Sequence, residues 1–117
     1  MSYPKIAKLI ETLLSQTESG ALPWAQTEKS DMFQASFPRY SIRIYPQRSH
    51  NSLEPDYVLQ ILNDLGDIVE EVSDPDLQSV LETPFLVMRN LYEGARRSAM
   101  GVENALDEIL DFLDPLA

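Results

Sequence analysis

Between Asp31 and Val72 the chain carries four short runs rich in β-branched, aromatic and aliphatic residues, and this stretch constrains the fold more than any other. The runs are Asp31–Phe37, Tyr40–Tyr45, Tyr57–Leu62 and Asp67–Val72, divided by Pro38-Arg39, by Pro46–Pro55 and by Asn63-Asp64-Leu65-Gly66. Strand-length runs separated by turn residues read as an antiparallel meander. Phe33, Ala35, Phe37, Tyr40, Ile42, Ile44, Tyr57, Leu59, Ile61, Ile68 and Val72 are expected on a buried face. Ser36, Ser41 and Arg43 fall on the other, where Val58 and Leu62 make the third run partly covered on both sides. Gly66 suits a hairpin position of positive φ, and Glu70 with Glu71 marks the last run as an edge.

Helical periodicity lies on either side of the meander. Ile6, Leu9, Ile10, Leu13 and Leu14 form one stripe over Tyr3–Thr17, with Ser2 as a cap, Pro4 in the first turn and Gly20 past the end. Ala21–Trp24 reads as a short extended piece, and Trp24 as an apolar plug for the core in preference to a ligand platform. Ser73-Asp74-Pro75-Asp76 opens a short helix or turn, and Thr83-Pro84 opens a longer one. Met88, Leu91, Tyr92, Ala95 and Ala99 form the buried stripe of that longer helix. On its outer side Arg89–Glu93 and Glu93–Arg97 have i,i+4 spacing. A last helix after Gly101 carries Val102, Ala105, Leu106, Ile109, Leu110 and Leu113 on one face. The spacing therefore predicts a single α+β domain. Its N-terminal helix precedes a four- to five-stranded antiparallel meander, and two to three C-terminal helices pack on one sheet face.

Charge narrows the functions open to such a domain. Up to Asn63 six acids balance six bases, whereas from Asp64 onward thirteen acids face only Arg89, Arg96 and Arg97, so the whole net charge of −10 lies there. Nucleic acid, bound by neutralising phosphates with Lys and Arg, is not an expected partner. A basic protein partner is favoured by such a field. No apolar run approaches the ~20 residues of a membrane span, and the first residues lack the pattern of a secretory signal. A cytoplasmic address is the expectation, with no membrane partner. The chain has no cysteine, which removes thiolate nucleophiles and cysteine-based metal sites.

Catalytic signatures are scarce. His50, the one histidine, lies in the longest polar loop without a nucleophile motif around it, and reads as a solvated side chain. Asp74 and Asp76 are explained by helix capping. Glu103, Asp107, Asp111 and Asp114 make an acidic helical face, which lacks the opposing ligands a hard cation needs. Four glycines, none in a phosphate-cradling pattern, argue against a nucleotide loop. No cofactor or metal is expected. One surface cluster is a candidate interaction patch: Arg39, Arg43, Tyr45, Arg48 and His50, since Arg and Tyr dominate interface hot spots.

Several segments carry a resemblance. These are Thr17-Glu18-Ser19-Gly20-Ala21-Leu22-Pro23-Trp24, the Phe33/Ala35/Phe37 strand, the Tyr57/Leu59/Ile61 strand with Gly66, and Leu91-Tyr92 with Ala95-Arg96-Arg97. Together they resemble a type of small uncharacterised bacterial α+β protein or accessory domain. That resemblance implies the fold and a bacterial cytoplasmic setting, and carries no catalytic residues. Three functions stand as expectations: a non-catalytic protein-interaction or accessory module, an immunity- or antitoxin-like inhibitor of a basic partner, or a small-ligand binder or enzyme using Trp24 and the 46–55 loop. A homodimer through a sheet edge is compatible with each.

Overall fold

The computed structural model describes residues 3–50 and 52–114. Its order is α1 (Pro4–Glu18), β1 (Ala25–Gln26), β2 (Phe33–Ser36), β3 (Tyr40–Gln47), β4 (Asp56–Asn63), β5 (Ile68–Ser73), a 3-10 turn (Asp74–Leu77), α2 (Pro84–Ala99) and α3 (Val102–Leu113). The five strands form one antiparallel sheet in sequential order. The α+β class, the meander and the flanking helices are as the sequence leads one to expect. The Ser2 cap lies outside the described residues.

One face of the sheet carries the core. Phe33, Ala35, Ile42, Ile44, Tyr57, Leu59 and Val72 meet Ile10 and Leu13 of α1, Met88, Leu91, Tyr92 and Ala95 of α2, and Trp24. α2 lies across β1 to β4, and α1 lies alongside α2. Each large apolar side chain buried here contributes about 1.5–3 kcal/mol. Four rings run in file from sheet to helix. Phe33 and Tyr92 have centroids 5.6 Å apart, Tyr92 and Tyr57 5.3 Å, and Tyr57 and Phe85 5.8 Å. The Tyr92 hydroxyl donates to the Asp31 carbonyl at 3.0 Å, so the polar end of a buried ring is satisfied.

Trp24 is the plug that its size suggests. It is buried, and its Nε1–H donates to Thr17 Oγ1 at 2.9 Å. The Trp24 backbone N–H reaches Ser98 Oγ at 3.2 Å, tying the end of α2 to the start of the sheet. Above this junction α1 and α2 come close at Gly94, where an added Cβ would meet the Thr17 methyl at 2.7 Å.

Four local expectations give way to the tertiary structure. The irregular segment is shorter than Pro46–Pro55, because β3 continues through Pro46 and Gln47, opposite Tyr57 and Asp56. Past Ile44 that strand has β4 on one side only, the edge environment in which proline is tolerated. Ile68 is exposed because a bulge shifts the register between Ile61 and Leu62, so that Ile68 lies opposite Leu62 on the outer face. An extra residue in one strand inverts inside and outside beyond it. Phe37 and Tyr40 flank the Pro38-Arg39 turn at the tip of the β2–β3 hairpin, and both are exposed. The ion pairs also differ: Glu93 meets Arg96 at 3.2 Å and Arg97 meets Glu103 at 2.8 Å, while Arg89 sits over the Phe85 ring.

Candidate functional site

The outer sheet face is a polar lattice. Register aligns Gln34, Arg43, Gln60 and Glu71 in one row across β2 to β5. Arg43 Nε donates to Gln34 Oε1 at 2.8 Å, and Gln60 Nε2 donates to Glu71 Oε1 at 2.8 Å and to the Tyr45 hydroxyl at 3.3 Å. Burial, and then the negative charge of Glu71, push the Tyr45 hydroxyl above its ordinary pKa. Val58 and Leu62, two residues to either side of Gln60 on this face of β4, are buried.

This arrangement separates the five members of the Arg/Tyr cluster. Arg43 and Tyr45 lie mid-strand on the outer face. Arg39 sits in the turn before β3, and Arg48 and His50 follow its far end. Eight strand residues span about 26 Å at ~3.3 Å each, so the two ends do not share one patch. Arg39, Arg48 and His50 are exposed, whereas Arg43 is half-buried and its Nε is held by Gln34.

Asp74 is the one buried carboxylate among the described residues. Its Oδ1 accepts the Tyr57 backbone N–H at 2.6 Å, closing the ladder where β5 leaves the sheet. Burial raises its pKa, and the hydrogen bond from Tyr57 offsets only part of that shift. Next to it, the Asp76 carboxylate accepts from both the Ser73 N–H at 2.9 Å and the Ser73 hydroxyl at 3.1 Å, the capping role expected of this segment. Asp74 borders a shallow depression of about 420 Å³ with Gln78, Glu82, Thr83, Pro84, Phe85 and Leu86. Among the described residues no histidine lines it as a base for the Thr83 hydroxyl.

A larger cavity of about 640 Å³ lies where the end of α1, α2 and the start of α3 meet. Glu18, Glu93, Arg97 and Glu103 are its charged lining; Arg97 pairs with Glu103 across the α2–α3 joint, and Glu93 pairs with Arg96 outside the cavity. Trp24, Tyr57 and His50 line neither hollow. Among the described residues no group of three or more His, Asp or Glu side chains could hold a metal, and no helix is long and apolar enough to cross a membrane.

What stands apart is α3. Gly101, at φ +65°, turns the chain out of α2, and α3 meets the body through α2 while burying none of its own residues. Its apolar stripe is open to water: Leu106 is 45% exposed, Ile109 57%, Leu110 54%, Phe112 77% and Leu113 51%. Glu103, Asp107, Asp111 and Asp114, the acidic face read from the sequence, are exposed as well, and Glu108 joins them. At ~100° per residue the apolar side chains from Phe112 round to Leu110 occupy an arc of about 160°, and the acids fill the remainder. The molecule is accordingly elongated, 58 × 34 × 25 Å. Its radius of gyration is 15.9 Å, against about 13 Å for a compact chain of this length. The sequence marks the amphipathic stripe correctly. It does not say that the stripe is left uncovered, because periodicity reports a face that seeks a partner and not where the partner is. Comparison with protein-family models, with curated proteins and with solved structures finds no match.

Proposed function

We propose that this chain is a protein-interaction module whose docking element is α3. One observation supports the reading: a regular helix with a continuous apolar stripe that its own fold leaves in water. Monomeric soluble domains rarely keep such a contiguous apolar surface without an interaction to serve. Covering five half-exposed side chains of this size is worth on the order of 5 kcal/mol, enough to drive association. The remaining singular groups have structural occupations. Trp24 seals the core, Asp74 closes a strand end, and Arg43 belongs to the outer-face lattice. A cytoplasmic setting in a bacterial cell accompanies this reading.

The test is a pair of substitutions, Leu106→Asp with Ile109→Asp. Both side chains are already in water, so the urea midpoint should move by no more than about 0.5 kcal/mol equivalent. Capture of interacting proteins by the tagged chain should be abolished. Retention of the same bound proteins by the double variant would refute the assignment of docking to α3.

A further inference from the structure

Resting on α3 as the docking element, the charge around its stripe identifies what covers it. The stripe is bordered on one side by Glu103, Asp107 and Asp114 and on the other by Glu108, and the helix carries no basic residue. A second copy of α3 would bring acid against acid at both borders, where helix pairing calls for opposite charges. Two whole chains, each at −10, also repel on approach. The size is wrong as well, for a stable interface engages roughly 20–30 residues a side and α3 has 12. A groove that holds both flanks of the helix recruits more contact than a second rod can. A membrane surface fails on charge, because interfacial helices carry Lys and Arg on the polar face to meet anionic lipid. Nucleic acid fails for the same reason.

We infer that α3 is a helix-in-groove ligand for a partner protein whose apolar cleft is rimmed by Lys and Arg. The anchors are Leu106, Ile109 and Leu113, spaced at i, i+3 and i+7, which is how such clefts are read. Leu110 and Phe112 press against the two walls, and the flanking carboxylates meet the basic rim. The rim charges steer the encounter and fix the orientation of the helix, while the anchors hold it.

The experiment uses the full chain with a photo-crosslinking amino acid at Phe112. It is irradiated in source-cell lysate, and the crosslinked peptide is mapped. The attached protein is then purified and titrated against the chain at 50 and 300 mM salt. The expected result is one protein crosslinked within an apolar cleft bordered by Lys or Arg. Its affinity should fall at least ~10-fold between the two salt concentrations, and at least ~10-fold with Ile109→Asp. Asp107→Lys with Glu108→Lys, one at each border of the stripe, should weaken it without altering the circular dichroism of the chain. Three results would overturn the inference while leaving α3 as the docking element. The first is a crosslink to a second copy of this chain, seen with a sedimenting dimer that Ile109→Asp dissolves. The second is cosedimentation with vesicles of phosphatidylcholine and phosphatidylglycerol that the same variant abolishes. The third is a partner held with no dependence on salt. No crosslink, together with no effect of Ile109→Asp on any interaction, would overturn both.

Discussion

Replacing Gly94 with alanine tests how closely α1 and α2 pack. In the interior of an exposed helix this change stabilises by up to about 1 kcal/mol, since alanine restricts the unfolded chain and favours the helix. Here the new Cβ would lie 2.7 Å from the Thr17 Cγ2, which is 0.7 Å short of the 3.4 Å at which ordinary contact begins. Thr17 cannot rotate away cheaply. It is β-branched, it is buried, and its Oγ1 holds the Trp24 Nε1–H at 2.9 Å. The helices must separate or that hydrogen bond must break, a penalty of about 1–3 kcal/mol for overpacking. Gly94→Ala should therefore be neutral to destabilising by about 2 kcal/mol once the helical gain is subtracted, lowering Tm by up to roughly 8 °C. Thr17→Ser removes the offending methyl and keeps the oxygen, so adding it to Gly94→Ala should return the helical gain. The diagnostic quantity is the coupling of at least ~1 kcal/mol in a double-mutant cycle of urea unfolding. The single tryptophan lies at the junction itself, so its fluorescence reports the transition. A Gly94→Ala protein more stable than the parent, with additive effects of the two changes, would refute the close-packing argument.

Two further outcomes follow from the sheet. Ile44→Val should cost about 0.5–1.5 kcal/mol in urea unfolding, whereas the chemically identical Ile68→Val should cost almost nothing, because the bulge places Ile68 in water; equal costs would contradict that register. For Asp74, folding favours the protonated carboxyl. The stability linked to that proton is fully present below the unfolded value of about 3.9 and is lost as pH rises through the higher folded value. Asp74→Asn should remove this pH slope and be neutral to stabilising at pH 7, while Asp74→Ala leaves the Tyr57 N–H without its acceptor and should cost about 1–3 kcal/mol. A slope that persists in the asparagine variant would show that other carboxylates produce it.

Local signals account for much of the fold. The alternation in Phe33–Ala35, Ile42–Ile44 and Tyr57–Leu59 needs only a period of two, and the helices only a period near 3.6, so both are legible in the chain. Gly20, Gly66 and Gly101 fall where the backbone takes positive φ, which a turn residue announces in advance. The misplaced side chains each depend on tertiary context. Ile68 depends on a bulge, Phe37 and Tyr40 on their place at a hairpin tip, and the ion pairs of Glu93 and Arg97 on rotamers and on a neighbouring helix. None of these leaves a periodic trace.

The candidate site divides in the same way. Composition and periodicity by themselves determine that the last helix is amphipathic, acidic and without a basic residue, because those are properties of residue order. They also determine that the acidic charge is gathered after Asn63. Only the tertiary structure decides that this helix, alone among the three of the described residues, buries nothing, and that the five-residue Arg/Tyr cluster is spread along the full length of a strand. An apolar stripe states a demand for contact, and whether the fold meets that demand depends on where the chain turns after Gly101 and on whether α1 and α2 have already covered the sheet.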